Sequence, residues 1–264
     1  MSNLRRRFLT WLEARDGIAP ACPVSGIRVV PAPADGFALR AWHEGRGVLL
    51  CVRDAWQGAA RRAVAQLTPA ELFSPFGTYE LARFTLPDGV GVWGPTWCYA
   101  GDATTLDPEA DPRVHPLGKA EQDTLDPERF WHSMPKGECA SFGVVEDDRV
   151  VAHSVAWARG GDTWEIGLDV LPGAKAKGLG RAVFETAERW ILDQDGLVIA
   201  TTAPWNVPSA RVIRRCGLRF VLAELRDLPC PMRVPPETLG APLPGCELQN
   251  YYPDWAQNTA ITHV

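Results

Sequence analysis

The stretch from Thr163 to Ala200 restricts the fold more than any other part of this sequence. Trp164, Ile166, Leu168 and Val170 alternate with Glu165, Gly167 and Asp169, the two-residue period of a pleated strand. Pro172 and Gly173 break the alternation, and a basic, small-residue loop follows with Lys175, Lys177, Gly178, Gly180 and Arg181. From Leu179 the period becomes helical: Leu179, Ala182, Val183, Ala187, Trp190 and Ile191 fall on one face. Leu197 to Ala200 is a short apolar run of the kind a buried parallel strand carries. The chain reads here as strand, loop, helix and buried strand.

That loop has a chemical use. The first turn of a helix holds amide N–H groups without partners, and the helix dipole adds partial positive charge. Glycines let a phosphate approach those amides, and nearby Lys and Arg add charge-assisted contacts. A pyrophosphate-bearing cofactor is the natural ligand; a tight turn with solvated lysines is the plainer alternative. The loop is not a P-loop, since Gly-x4-Gly-Lys-Ser/Thr is absent. It is not a dinucleotide fingerprint either, because Gly178-Leu179-Gly180 runs into Arg181-Ala182-Val183 without a third glycine.

Beyond the buried strand, Asn206 is a good N-cap, Pro208 suits a first turn and Gly217 suits a C-terminal stop. This segment predicts a short helix leading into a strand in which Leu218, Phe220 and Leu222 alternate. Leu168-Asp169-Val170-Leu171-Pro172 with Lys175-Ala176-Lys177-Gly178-Leu179-Gly180 resembles motif A of the GCN5-related N-acetyltransferases (GNAT). Asn206 to Phe220 resembles their motif B, and the likeness extends over roughly Ala140 to Leu225. It departs from the family at Lys175, where an Arg or Gln usually opens the loop, and at Ile213, where a tyrosine usually serves as the acid.

The resemblance implies an α/β mixed sheet with the GNAT acyl-CoA N-acyltransferase fold, and acetyl-CoA as co-substrate. The strand of motif A would splay from the strand at Leu197, with pantetheine in the gap. Backbone groups of Leu168, Asp169 and Val170 would pair with the pantetheine arm. Lys175 and the amides of Ala176, Lys177, Gly178, Leu179, Gly180 and Arg181 would hold the pyrophosphate, with Asn206 and Ser209 as further coenzyme contacts. The implied reaction is direct transfer of an acetyl group to a primary amine of a small molecule or peptide. A non-catalytic acyl-CoA-binding or sensing module is the alternative.

Such a transfer needs a neutral amine, a stabilised oxyanion and a proton for the leaving thiolate. Amines of pKa about 10 are almost wholly protonated at neutral pH, so a base or water relay matters. Glu165 and Asp169 are the candidate bases, on one face of one strand, and Ser209 is the candidate acid through its hydroxyl or a water. The structural alternatives are a solvent-facing strand carboxylate for Glu165, and helix-capping roles for Ser209 and Asn206. His153 is expected to be a hydrogen-bonded histidine within a sheet.

The formal net charge of −5 argues against a nucleic-acid partner and favours a cationic acceptor such as a polyamine, aminoglycoside or basic peptide. No apolar run approaches the ~20 residues of a membrane span, so no membrane partner is expected. The N-terminus mixes charges through its apolar positions, unlike a secretory leader. Seven scattered cysteines without Cys-x2-Cys spacing, and five histidines in no ligand pattern, fit a reduced cytoplasmic protein without a metal. A monomer or homodimer is expected.

Taken in order, residues 1–101 hold an N-terminal helix capped by Asn3, then hairpin, helix and strand. They read as a degenerate half-copy of the GNAT fold without a phosphate loop. The strand at Val90 to Tyr99 is expected to break at Gly94-Pro95. Residues 102–123 read as a linker, 124–227 as the catalytic domain and 228–264 as a proline-rich tail. Leu125 to Met134 is expected as a short helix, and a hairpin turn is expected at Glu146 to Arg149.

Overall fold

A computed structural model describes residues 2–175 and 177–229. In chain order these form α1 (Asn3–Asp16), β1 (Gly26–Pro31), β2 (Leu39–Glu44), β3 (Gly47–Val52), α2 (Gln57–Val64), α3 (Pro69–Leu72), α4 (Pro75–Thr85) and β4 (Val90–Gly101). Next come β5 (His115–Pro116), α5 (Lys119–Gln122), β6 (Cys139–Glu146), β7 (Arg149–Ala158) and β8 (Thr163–Val170). α6 (Leu179–Leu192), β9 (Leu197–Thr202), α7 (Val207–Arg215) and β10 (Arg219–Pro229) follow. The chain divides into two compact units. Of the described residues, the first comprises 2–15, 98–202 and 208–221; the second comprises 16–97, 203–207 and 222–229.

The first unit is a mixed sheet in the order β9-β8-β7-β6-β5, with β8 and β9 parallel and the other pairs antiparallel. The β6–β7 hairpin turns through Asp147 and Asp148 at φ 48° and 58°, the conformation a two-residue hairpin loop requires. α6 lays Leu179 and Val183 against Val144, Ala152 and Ala174. Each such buried aliphatic side chain contributes roughly 1.5–3 kcal/mol. Trp164 of β8 meets Trp190 of α6 edge-on at 4.8 Å, which fixes the far end of the helix on the strand that precedes the glycine loop.

The second unit orders its strands β1-β3-β2-β10, with β1 parallel to β3 and the remaining pairs antiparallel. Leu39, Ala41, Val48, Leu50 and Val52 from the hairpin pack with Trp56, Leu72 and Leu81. α3 begins with a reciprocal cap: the Glu71 N–H donates to Thr68 Oγ1 at 3.2 Å, and the Thr68 N–H to Glu71 Oε2 at 2.7 Å.

Several local expectations change. α1 is entered through Ser2, whose carbonyl accepts from Arg6 N–H at 3.2 Å; Asn3 is already helical. β4 runs unbroken through Gly94-Pro95, which is a cis peptide, so the proline is accommodated inside the strand. Residues 102–123 lie in the first unit and include β5 and α5, with Leu117 N–H bonded to Ser141 O at 2.9 Å. Leu125 to Met134 is a series of turns and not a helix, and this proves important for the site. The tail beyond Pro229 lies outside the described residues.

Candidate active site

β8 is hydrogen-bonded along its length to β7, from Trp164 opposite Ala158 to Val170 opposite Ala152. Its other edge is different. β9 pairs with it only at Thr163–Leu197, Trp164–Val198 and Glu165–Ile199. From Ile166 to Val170 that edge has no strand partner among the described residues, although β9 itself continues to Thr202. Backbone donors and acceptors at such an opening need partners from water or a ligand. A Cβ built on Gly180 would lie 3.4 Å from Val170, 3.6 Å from Leu168 and 3.7 Å from Val212, so the first turn of α6 sits beside the unpaired end of β8.

The connection from β8 to α6 presents backbone amides and positive charge together. Gly178 is the N-cap of α6 at φ +78°, and no side chain caps the helix, so the amides of Leu179, Gly180 and Arg181 open the first turn. Lys175, Lys177 and Gly178 are exposed, whereas Ala174 is buried and anchors the turn. Lys177 Nζ is 3.4 Å from Glu146, and Arg113 donates to the Lys177 carbonyl at 3.4 Å. Arg181 donates to Glu185 at 2.8 Å. Ala176 lies outside the described residues.

Glu165, Gly167 and Asp169 share the opposite face of β8, and their surroundings differ sharply. The Glu165 Oε2 accepts from Arg159 Nε at 2.7 Å, and its Oε1 accepts from Thr201 Oγ1 at 2.8 Å. Gly167 lies under the turns at 126–134: a Cβ there would collide with the His132 carbonyl oxygen and the Trp157 ring. Asp169 accepts from the His132 N–H at 2.7 Å and from Ser133 Oγ at 3.0 Å, and its Oδ1 is 3.0 Å from His132 Nδ1. Trp157 Nε1 donates to Met134 O at 3.2 Å and helps hold the turn.

His153 is the cross-strand partner of Asp169 and is fully buried, with Phe130 edge-on at 6.0 Å. The expectation of a hydrogen-bonded histidine is not met: among the described residues no group lies in hydrogen-bond geometry with either ring nitrogen, and the Ser133 backbone is only near enough to attract the charged ring. Burial pushes its pKa down to about 4, against the opposing pull of Asp169 and the Ser133 backbone, so the ring is neutral at neutral pH. Sequence reasoning missed His132 and Ser133 altogether. Their contact with Asp169 spans 37 and 36 residues, a separation that no local period can signal.

Of the motif B residues, Asn206 immediately precedes α7 and belongs to the second unit, while Ser209 lies in the first turn of α7 within the first unit. Ile213, at the position of the family tyrosine, is buried at 2% exposure. Burial pushes the Cys216 thiol well up from its ordinary value, so it is no nucleophile. Among the described residues, no group of three or more His, Cys, Asp or Glu side chains is placed to hold a metal ion. None of the described helices is long and apolar enough to cross a membrane.

Residues 106–218 match the model of the Acetyltransferase (GNAT) family. Among curated proteins none matches the sequence. Similar solved structures include a GCN5-related N-acetyltransferase from Kribbella flavida, 20% identical with TM-score 0.43, over 60% of this chain and 65% of that one. An acetyltransferase of the GNAT family from Colwellia psychrerythraea is 14% identical with TM-score 0.43, over 57% of this chain and 62% of that one. Both matches span a little under two thirds of the neighbour's length. AAC(6')-Iy, solved with the bisubstrate analog CoA-S-monomethyl-acetylneamine, is 18% identical with TM-score 0.33, over 39% of this chain and 88% of that one. The matched stretch holds the strand, loop and helix on which the opening in the sheet is built, and residues 106–218 are a domain of the GNAT acetyltransferase family.

Proposed function

We propose that this protein is an N-acetyltransferase that binds acetyl-CoA in the gap between β8 and β9 and passes the acetyl group directly to a primary amine of a small molecule or peptide. One observation carries the reading: the parallel ladder stops at Glu165 and Ile199 while both strands continue. Backbone groups of Leu168, Asp169 and Val170 are left to pair with the amide-bearing pantetheine arm as an added strand would. The first-turn amides of α6, with Lys175 and Lys177, supply donors and charge for the pyrophosphate. These features fit the coenzyme in both its parts.

The chain's contribution to the reaction is binding, orientation and proton handling. Holding thioester and amine together removes much of the entropic cost of a bimolecular reaction. Glu165 and Asp169 both face the acceptor side in this reading, and both carboxylates are already engaged by protein donors. Ser209, half-buried in the first turn of α7, is proposed as the proton source for the departing thiolate, with Asn206 beside it at the helix entry. A monomeric or homodimeric cytoplasmic enzyme with a cationic acceptor completes the proposal. Residues 1–101, with hairpin, helices and strand in the expected order, are proposed as the degenerate half-copy.

One observation favours a second reading. Ile213 is buried where the family's tyrosine acid would stand, as suits a module that binds acyl-CoA without transferring it. Calorimetry with CoA, followed by thiol release from acetyl-CoA with a panel of amines, separates the two. Binding with amine-dependent release supports the enzyme, binding without any release supports the module, and no binding removes both.

A further inference from the structure

Three donors converge on Asp169 from the turns at 126–134: the His132 N–H, the Ser133 hydroxyl and the His132 ring at Nδ1. An ionised carboxylate only accepts, so the ring proton belongs on Nδ1, and the Nε2 lone pair is left bare. Among the described residues Nε2 has no hydrogen-bond partner, and it is not among the buried polar atoms without partners, so it faces the open side of the ring. The His132 side chain is 31% exposed, while Asp169 behind it is 13% exposed. The His132 carbonyl sits over Gly167, which places the residue above the part of β8 that β9 leaves unpaired.

The other titratable groups nearby are not free to act. His153, from β7, is fully buried and neutral at neutral pH. Glu165 has one oxygen on Arg159 and the other on Thr201. Asp169 has both oxygens occupied by the turn.

We infer that His132 is the general base of the transfer and that Asp169 is the residue that positions it. This rests on the reading of acetyl-CoA bound beside β8. The amine nitrogen forms its bond to the acetyl carbon as the carbon–sulfur bond breaks. The proton lost by nitrogen goes to His132 Nε2 and then to solvent. The sulfur leaves as thiolate and takes a proton to give free CoA, so atoms and charge balance. The turns that looked helical in sequence are what bring the ring to the strand, because a helix over the same residues would not place the backbone N–H, hydroxyl and ring of two adjacent residues on one carboxylate.

The test uses the full chain with acetyl-CoA and three amines of different shape, spermidine, kanamycin and 2-phenylethylamine, with thiol release as the rate. His132→Ala is expected to lower kcat about 10²–10⁴-fold, the span of general-base catalysis, with CoA affinity by calorimetry unchanged within twofold. Added imidazole is expected to restore part of that rate. Asp169→Asn is expected to lower kcat without raising the KM for acetyl-CoA and to gain nothing from imidazole, since its own ring still fills the space. Should Asp169→Asn fail to fold, His132→Ala with rescue decides. A His132→Ala protein that keeps its rate within threefold overturns the inference and leaves the acetyltransferase reading standing. An unsubstituted protein that does not bind CoA, or binds it and transfers to nothing, overturns both.

Discussion

Strand β8 is paired on both edges at Trp164 and Glu165 and, among the described residues, on one edge only from Ile166 to Val170, and the acidic residues on its face follow the same division. In the doubly paired half, Glu165 ties the strand to Arg159 and across to Thr201 of β9, as a structural ion pair does. In the singly paired half, Asp169 gathers the His132–Ser133 turn and holds a histidine ring with one nitrogen bare. Two carboxylates four residues apart thus have different work, and the backbone ladder decides which. Where the edge is saturated the side chain braces it; where the edge is open the side chain organises a site.

The harshest way to break this contrast is to fill the space beneath the turn. Gly167→Val puts side-chain atoms into the His132 carbonyl and the Trp157 ring, and it is expected to cost roughly 3 kcal/mol in denaturant unfolding. Native-like stability would mean that the turn does not lie on the strand.

His153 sharpens the same contrast through pH. Its pKa is pushed from 6.5 in the unfolded chain to about 4 in the folded protein by burial. Below pH 6.5 the unfolded chain takes up a proton that the folded protein refuses. Stability should therefore be lost as pH falls from 6.5 to 4, by roughly 3 kcal/mol in total, and be level above 6.5. His153→Leu should remove that slope with little loss at neutral pH, since among the described residues no group is in hydrogen-bond geometry with either ring nitrogen. A melting-temperature series against pH reads both outcomes.

How much of this was legible in the sequence can be judged residue by residue. β8 spans Thr163–Val170, as the alternation predicts, and α6 starts at Leu179, where the period changes. The β6–β7 turn is also a local signal, carried by Glu146 to Arg149. The burial of Glu188 was not: the helical wheel marks an apolar stripe, but α6 is covered more widely, and Phe184, Glu185 and Glu188 are buried too. Desolvation, aided by Glu185, pushes the Glu188 carboxyl up to about 9. His132 and Ser133 were missed for a related reason. Phe130 and Trp131 suggest a helix, and only the packing of that segment on β7 and β8 shows turns with polar groups aimed at Asp169.

Smaller effects test the loop and the braced half of the strand. Gly178→Val forces a branched side chain into a left-handed conformation at φ +78° where nothing crowds it, so strain of about 1–2 kcal/mol is expected. A displaced first turn should weaken CoA binding about tenfold, or ~1.4 kcal/mol, by calorimetry. Glu165→Gln loses an ion pair whose arginine is 42% exposed, so at most about 1 kcal/mol of stability should go, and thiol release should stay within about threefold. A rate loss of about 100-fold in Glu165→Gln would move the base to the braced half of the strand and erase the contrast.

The opening beside β8 is tested most directly by amide hydrogen exchange with and without CoA. The account predicts new protection in two places at once: the stretch from Ile166 to Val170, which lacks a strand partner on one edge, and the first turn of α6 at Leu179 to Arg181. Trp164 and Glu165, already paired on both sides, should be unchanged. Protection that skips Ile166 to Val170, or an exchange pattern that CoA leaves untouched, would contradict it.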